Sequence, residues 1–106
     1  MTEAMIVLCG FPNEDEARHI GTHLVERQYA ACVNLLPGVE SIYRWQGKLC
    51  REREIMAVMK TTRAGFAALS RELVAMHSYD EPEVLALPVA DGSPGYLQWL
   101  IDGVRG

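Results

Sequence analysis

Cysteine is scarce in this sequence, and its three positions are far apart. Cys9, Cys32 and Cys50 form no Cys-x-x-Cys pair and no cluster of the zinc-binding type. Because their number is odd and their spacing is wide, the sequence does not predict the disulfide framework of a small secreted domain. We therefore expect reduced thiols and a cytoplasmic protein.

The sequence also lacks long hydrophobic runs and a surplus of basic residues. No run approaches the ~20 apolar residues of a membrane-spanning helix. The first ten residues, MTEAMIVLCG, have neither the basic region nor the apolar length of a signal peptide. The formal net charge is −4, whereas proteins that bind nucleic acids carry an excess of positive charge. We expect neither a membrane nor a nucleic acid as a partner.

Recognisable catalytic motifs are absent as well. The chain has no phosphate-binding P-loop, no dinucleotide-binding glycine motif and no nucleophile elbow. The segment after the first predicted strand, residues 10–16, reads GFPNEDE and offers no cation that could hold a phosphate. We therefore expect a protein that is not an enzyme and that has no obligatory cofactor.

What the sequence does contain is the pattern of one globular domain over residues 1–106, with 49% hydrophobic and 23% charged residues. The hydrophobic periodicity predicts a strand at 5–10, a helix from 14 to 28 capped by Asn13, a long hairpin at 30–60, a helix at 63–77, a strand at 84–89 and a helix at 96–104. This order is the ferredoxin-like split βαβ motif (βαββαβ) of the α+β class, followed by a C-terminal helix. The first helix is expected to bury one apolar face, formed by Ala17, Ile20, Gly21, Leu24 and Val25.

The predicted hairpin is long for a protein of this size. A Pro37-Gly38 turn follows a short apolar strand, the next strand carries Tyr43 and Trp45, and Gln46-Gly47 reverses the chain. Each strand of the hairpin approaches the usual upper limit of about ten residues. We therefore expect its tip to project beyond the rest of the domain.

The return strand of the hairpin is largely apolar on both faces. Its side chains alternate between two sets: Glu54, Met56, Val58 and Lys60 on one face, and Arg53, Ile55, Ala57 and Met59 on the other. Such a strand is typically buried on both sides, whereas the helices of a split βαβ domain cover only one. We expect another copy of the chain to cover the second side; the alternative is that the C-terminal helix and its Trp99 cover it.

Five segments of the chain together resemble the CutA family of divalent-cation tolerance proteins. They are AACVNLLPG at 30–38, SIYRWQGK at 41–48, MKTT at 59–62, HSYDEPEVLALPV at 77–89 and YLQWL at 96–100. The resemblance implies a ferredoxin-like subunit and a tightly packed homotrimer in which hairpins extend each other's sheets. It also implies a role in tolerance to copper and other divalent metals, with Tyr43 and Trp45 at contacts between subunits.

Cys9 and His77 are the candidate metal ligands. Copper(I) prefers sulfur and imidazole donors, and Cys9 on the first strand, with Met76 and His77 at the end of the second helix, supplies such donors. The resemblance adds that some family members bind copper through a cysteine at the position of Cys9 and a histidine that matches His77. The alternative is structural, because a free cysteine is usually a small core residue and a histidine suits the last turn of a helix.

A second candidate site is a cleft for a small ligand between subunits. Its predicted binding residues are polar or aromatic and come from the hairpin and from the turn after the second helix: Trp45, Glu54, Lys60, Tyr79 and Glu83. The structural alternative is a salt bridge between subunits, from Lys60 to Glu54 or Glu83. Two functions are therefore open: a trimeric metal-tolerance protein, and a sensor of small molecules that resembles the trimeric PII signalling proteins.

Overall fold

The computed structural model describes residues 1–105 of the chain. Four strands and three helices follow one another as β1 (Ala4–Phe11), α1 (Glu14–Glu26), β2 (Cys32–Trp45), β3 (Lys48–Thr62), α2 (Arg63–Met76), β4 (Leu85–Pro88) and α3 (Pro94–Asp102). The strands form one antiparallel sheet in the order β2-β3-β1-β4. The predicted α+β class and ferredoxin-like arrangement are confirmed.

The hydrophobic core lies between one face of this sheet and the helices α1 and α2. Alternate residues of β1 and β3 point to that side, and the core is completed by apolar residues of both helices and by Ala30 in the connection from α1 to β2: Val7, Cys9, Phe11, Ala17, Ile20, Leu24, Ala30, Ile55, Ala57, Met59, Leu69 and Leu73. Each of these residues is at most 7% exposed. One side of the return strand is thus buried within a single chain, as its sequence pattern predicts.

The first helix begins as predicted and ends earlier than predicted. The Asn13 side chain accepts a hydrogen bond of 2.8 Å from the Glu16 amide, which satisfies one of the free amides at the helix start. The helix ends at Glu26, and Gln28 has a φ of 61°, a left-handed conformation that no helix can continue through. Val25, predicted to be on the buried face, is 39% exposed.

Gly21 lies where α1 approaches β2 closely. A methyl group built on it would lie 3.2 Å from Cγ1 of Val33. The helix and the sheet are therefore in close contact at this point.

The predicted turn at Pro37-Gly38 is wrong. β2 continues through both residues, and the pairing with β3 shifts register between Leu36 and Val39, which is the signature of a β-bulge. Proline is tolerated there because β2 is an edge strand and a bulge leaves an amide outside the ladder. Gly38 has a φ of 76°. Glycine favours such a positive φ in a bulge as it does in a turn, which is why the sequence predicted a turn here.

The hairpin reversal at Gln46-Gly47 is confirmed. Both residues have positive φ, 51° and 80°, as a two-residue turn of type I′ requires. Beyond the last residue that pairs with β1, the hairpin continues as a free two-stranded segment, Val39–Trp45 with Lys48–Glu54, which we call the arm. At about 3.3 Å per residue the arm is ~23 Å long, and the molecule measures 44 × 25 × 22 Å.

The face of the sheet opposite α1 and α2 remains largely uncovered in the single chain. We call it the open face; its apolar residues come from all four strands: Ile6, Leu8, Leu36, Met56, Val58, Leu85 and Leu87. Leu36, Leu85 and Leu87 are 46%, 58% and 46% exposed. α3 reaches this face at one end, where the Nζ of Lys60 lies 5.6 Å from the centre of the Tyr96 ring. α3 therefore does not cover the open face in the way the alternative required.

The remaining boundaries differ from prediction by a few residues. α2 ends at Met76 because His77 has an extended backbone, β3 continues two residues past Lys60 by pairing with Ala4, and α3 lies two residues earlier than expected.

Within residues 1–105, none of the helices is long and apolar enough to cross a membrane.

Candidate functional site

The carboxylate of Glu54 is the centre of a polar cluster at the junction of body and arm. Its Oε1 accepts a hydrogen bond of 2.5 Å from Ser41 Oγ, and its Oε2 accepts one of 2.8 Å from the Tyr79 hydroxyl. Gly10 on β1 leaves the space for it, since a methyl group there would lie 3.3 Å from Oε1. The half-buried carboxylate is thus held by two neutral donors. No lysine or arginine within residues 1–105 forms an ion pair with it.

Two tyrosines on this side of the sheet donate to glutamates. Burial is the main cause that raises the pKa of Tyr79 above its ordinary value, and the hydrogen bond to Glu54 is the second. The Tyr43 hydroxyl donates to Glu52, and this bond is the main cause that raises the Tyr43 pKa to about 12. Both hydroxyls therefore keep their protons and act as donors at neutral pH.

His77 links the end of α2 to this cluster. The Tyr79 amide donates to its Nδ1 over 3.1 Å, so Nε2 carries the proton and donates to the Gly10 carbonyl over 2.8 Å. The imidazole also stacks on the Phe11 ring at a centroid distance of 4.7 Å. Both ring nitrogens thus have partners, and these bonds position Gly10 and Tyr79 around Glu54.

Cys9 lies in the hydrophobic core. Burial is the main cause that raises its thiol pKa to about 12, and the charges of Glu83, Glu54 and Glu16 add to the effect. The thiol is therefore protonated at neutral pH. A copper ligand would have to be the thiolate.

The Cys9–His77 arrangement does not fit a preformed copper site. The imidazole would have to give up one of its two hydrogen bonds, and the thiol would have to lose its proton inside the core. In the part of the chain that the structure describes, no three or more His, Cys, Asp or Glu side chains are grouped so as to hold a metal ion. Copper binding by this pair stays a prediction.

The five predicted binding residues do not form one cluster within a single chain. Glu54 and Tyr79 are in contact. Lys60 is six residues further along β3 from Glu54, about 20 Å away, and its Nζ lies 4.0 Å from Cys32 Sγ. Trp45 is at the arm tip and 51% exposed, and Glu83 is exposed before β4. A cleft or salt bridge that joins them would need a second copy of the chain.

Sequence reasoning missed three participants of the cluster. Ser41 comes into reach only through the register of β2 against β3, in which Ser41 stands opposite Glu52 and diagonal to Glu54. Glu16 on α1 accepts from the Ser78 amide over 3.0 Å, and the same oxygen lies 3.5 Å from His77 Nδ1. Neither contact has a local sequence signal, since the partners are far apart along the chain. Gly10 could have been noted as a glycine inside a strand.

Comparison with known proteins gives consistent similarities. Residues 5–103 match the family described as CutA1 divalent ion tolerance protein. The divalent-cation tolerance protein CutA of Thermus thermophilus is 46% identical over 95 residues, which are 90% of this chain and 92% of that protein. The chloroplastic protein CutA of Arabidopsis thaliana is 37% identical over 102 residues, 96% of this chain and 56% of that longer protein.

Solved structures show the same fold. The crystal structure of CutA from Xylella fastidiosa superimposes with a TM-score of 0.95 at 36% identity, covering 98% of this chain and all of that one. The structure of the Thermus thermophilus protein gives a TM-score of 0.94 at 43% identity, covering 96% and 99% of the two chains. The fold of this chain is thus shared with these solved structures over nearly its whole length.

Proposed function

The chain belongs to the CutA1 family of divalent ion tolerance proteins, and we propose that it acts in metal tolerance as a homotrimer that catalyses no reaction. We also propose that it works in the cytoplasm, which its three free cysteines support. The Arabidopsis relative is named as chloroplastic, so location varies among proteins of this kind.

The open face is the observation that supports an assembly. Three leucines on it are about half exposed, and the half-buried Ile6, Leu8, Met56 and Val58 join them into one apolar surface. Surfaces of this kind on a soluble protein usually mark contacts with another chain. Assembly of three copies with their open faces inward would bury it at the scale of an obligate interface.

The arm supports the same proposal. None of its residues is buried, and an isolated two-stranded hairpin is only marginally stable in water. Tyr43 and Trp45 project from the side of the arm that continues the open face. Their partners Cys50 and Lys48 are an even number of residues from Glu54 on β3 and therefore lie on the same face as Glu54. In the proposed trimer these aromatics pack on a neighbouring subunit.

The Glu54 cluster supports a second candidate function, a PII-like sensor of small molecules. It places two tyrosine hydroxyls and the carboxylates of Glu52 and Glu54 on the face where a neighbouring subunit would close a cleft. A nucleotide is a poor fit to such a site, because its phosphates require cations. The charge of the cluster favours a cationic or hydroxyl-bearing ligand.

Calorimetric titration of the protein with copper, zinc and a polyamine, which is a cationic ligand without a metal, under reducing conditions separates the two functions. The metal-tolerance proposal with direct binding expects heat from copper and none from the polyamine. Polyamine binding at micromolar concentration without metal binding would favour the sensor instead.

A growth test addresses tolerance itself. In a host that lacks its own family member, the chain should raise the copper concentration that halves growth. A variant with Leu36→Glu and Leu85→Glu on the open face should fail to do so if tolerance needs the assembly. Equal growth with and without the wild-type chain would contradict the proposed function.

A further inference from the structure

The arm carries a charge opposite to that of the rest of the molecule. The arm, Val39–Trp45 with Lys48–Glu54, contains three arginines and one lysine against three glutamates, a net charge of +1, and its outer part, residues 42–53, carries +3. Since the whole chain carries −4, the chain outside the arm carries −4 minus +1, or −5, and the chain outside residues 42–53 carries −4 minus +3, or −7. A membrane partner is not expected from the sequence because none of its hydrophobic runs is long enough to span a bilayer. Neither the lack of such a run nor the average charge of the chain excludes docking of a basic arm on a membrane surface.

The pairing register sorts the arm residues onto two faces. Ser41, Tyr43 and Trp45 lie on the side that continues the open face, together with Lys48 and Glu52. The other side, which we call the outer arm face, carries Ile42, Arg44, Leu49, Arg51 and Arg53, with Glu40 opposite Arg53. The two faces can therefore serve different partners.

The outer arm face combines free cations with exposed aliphatic side chains. Ile42 and Leu49 are 60% and 67% exposed. Arg44, Arg51 and Arg53 are exposed, and none of them takes part in the ion pairs formed within residues 1–105. Guanidinium groups bind phosphate oxygens with paired hydrogen bonds, and exposed aliphatic groups gain free energy when they leave water.

We propose that the outer arm face docks on the surface of an anionic lipid bilayer. Lysine and arginine side chains near such a surface are attracted by its negative potential, and Ile42 and Leu49 enter the boundary between headgroups and acyl chains. The arm extends ~23 Å from the body, beyond the screening length of about 8 Å at physiological ionic strength. The negative charge of the chain's own body is therefore screened at the tip.

The geometry favours a bilayer over a nucleic acid. Bases are held by stacking on aromatic side chains, and the aromatics of the arm, Tyr43 and Trp45, project from the opposite face. The outer face offers aliphatic side chains, which suit the interior of a lipid headgroup layer.

The helices determine how the arm meets the surface. α1 and α2 rise roughly 10 Å from the same side of the sheet, so the arm approaches the bilayer tilted, with its tip first. Arg44 and Leu49, next to the turn, then lie deepest, and Arg53 at the base of the arm lies farthest away. In the proposed trimer three arms would engage together and strengthen the contact by avidity, although the docking itself needs only one arm.

Co-sedimentation with vesicles tests this proposal. The full chain is mixed with phosphatidylcholine vesicles with or without about 30% phosphatidylserine, at about 0.05 M and about 0.5 M salt. We expect binding to the anionic vesicles at low salt, at least about tenfold weaker binding to the neutral ones, and release at high salt. Failure to bind anionic vesicles at low salt would overturn the proposal.

Charge reversals on the arm and far from it provide the matched control. Arg44→Glu should weaken vesicle binding about tenfold, Arg53→Glu less, and Arg63→Glu, the same change on an exposed arginine at the end of the sheet away from the arm, less than about threefold. Leu49→Asn should weaken binding at constant charge, and Arg44→Gln serves if the reversed variant does not assemble. Equal losses for Arg63→Glu and Arg44→Glu, or no loss for Leu49→Asn, would contradict docking through this face.

Two competitors distinguish other anions. Inorganic phosphate at millimolar concentration should not displace the protein from vesicles, and a single-stranded oligonucleotide should bind more weakly than the vesicles do. Displacement by phosphate would reassign the face to a small anion, and tighter oligonucleotide binding would reassign it to nucleic acid. Sedimentation of each variant without vesicles shows whether it assembles, so a failure of the trimer proposal is seen separately.

Discussion

The body and the arm of this protein are stabilised in different ways. In the body, the sheet and two helices enclose core residues that are at most 7% exposed. In the arm, none of the fourteen residues is buried. The arm is held by strand pairing and by side-chain hydrogen bonds such as that from Tyr43 to Glu52. The comparison shows a body with a core of its own and, attached to it, an arm that has none within the described residues.

A core substitution should show the largest effect and confine it to the body. Phe11 is fully buried and stacks on His77, so Phe11→Ala should lower the free energy of unfolding by about 3 to 5 kcal/mol. Leu49→Ala on the exposed arm is the control and should change it by less than about 0.5 kcal/mol. Urea unfolding measures both; a similar loss for the two variants would abolish the distinction between body and arm.

Trp45→Ala tests the dependence of the arm on a partner. In a single chain the half-exposed Trp45 has little packing to lose. If it packs between subunits, its removal should cost the assembly on the order of 3 to 5 kcal/mol, and the trimer should loosen before the subunit unfolds. The check is thermal unfolding at several protein concentrations. A variant trimer as stable as the wild type would identify Trp45 as a surface residue.

Copper binding by Cys9 and His77 would add a function to the body itself. If it occurs, Cys9→Ser and His77→Ala should each weaken binding at least about tenfold, or ~1.4 kcal/mol, with the assembly intact. Because the folded thiol has a raised pKa of about 12, copper must displace its proton, and affinity should rise with pH throughout the range below that value. Calorimetry at pH 7 and pH 8.5 measures this. Equal uptake by wild type and both variants would leave Cys9 as core and His77 as a positioning residue.

The two tyrosine–glutamate bonds should give the smallest effects, and these should differ between body and arm. Tyr79→Phe removes a donor from the half-buried Glu54 and should cost about 1 kcal/mol. Tyr43→Phe removes the equivalent bond on the exposed arm and should have a smaller effect on the subunit, because water can replace the lost partner. Urea unfolding of both variants provides the values, and the reverse order would show that the arm bond is the more important one.

Much of the fold could be predicted from local signals in the sequence. Asn13 caps α1, Gln46-Gly47 forms the hairpin turn, and the alternation along β3 matches its two faces. Pro37-Gly38 was assigned to a turn because a turn and a bulge on an edge strand call for the same residue types. Only the pairing with β3 distinguishes them.

The candidate site was predictable only in part. Tyr79 and Glu54 were assigned to the same candidate cleft between subunits, and the structure shows a hydrogen bond between them within one chain, which was not predicted. The role of Ser41 was missed, since it depends on the register that the bulge sets. Lys60 was grouped with Glu54 although the two residues are six apart on one strand, and the rise per residue of a strand separates them by about 20 Å. The sequence does not give the position of a second copy.

Sedimentation equilibrium of the wild-type protein at micromolar concentration tests most directly whether arm and open face are covered by other copies of the chain. The account predicts a single species with three times the 11.8 kDa mass of one chain, and no folded monomer on dilution through the micromolar range. A stable, folded monomer of about 12 kDa at that concentration would contradict it.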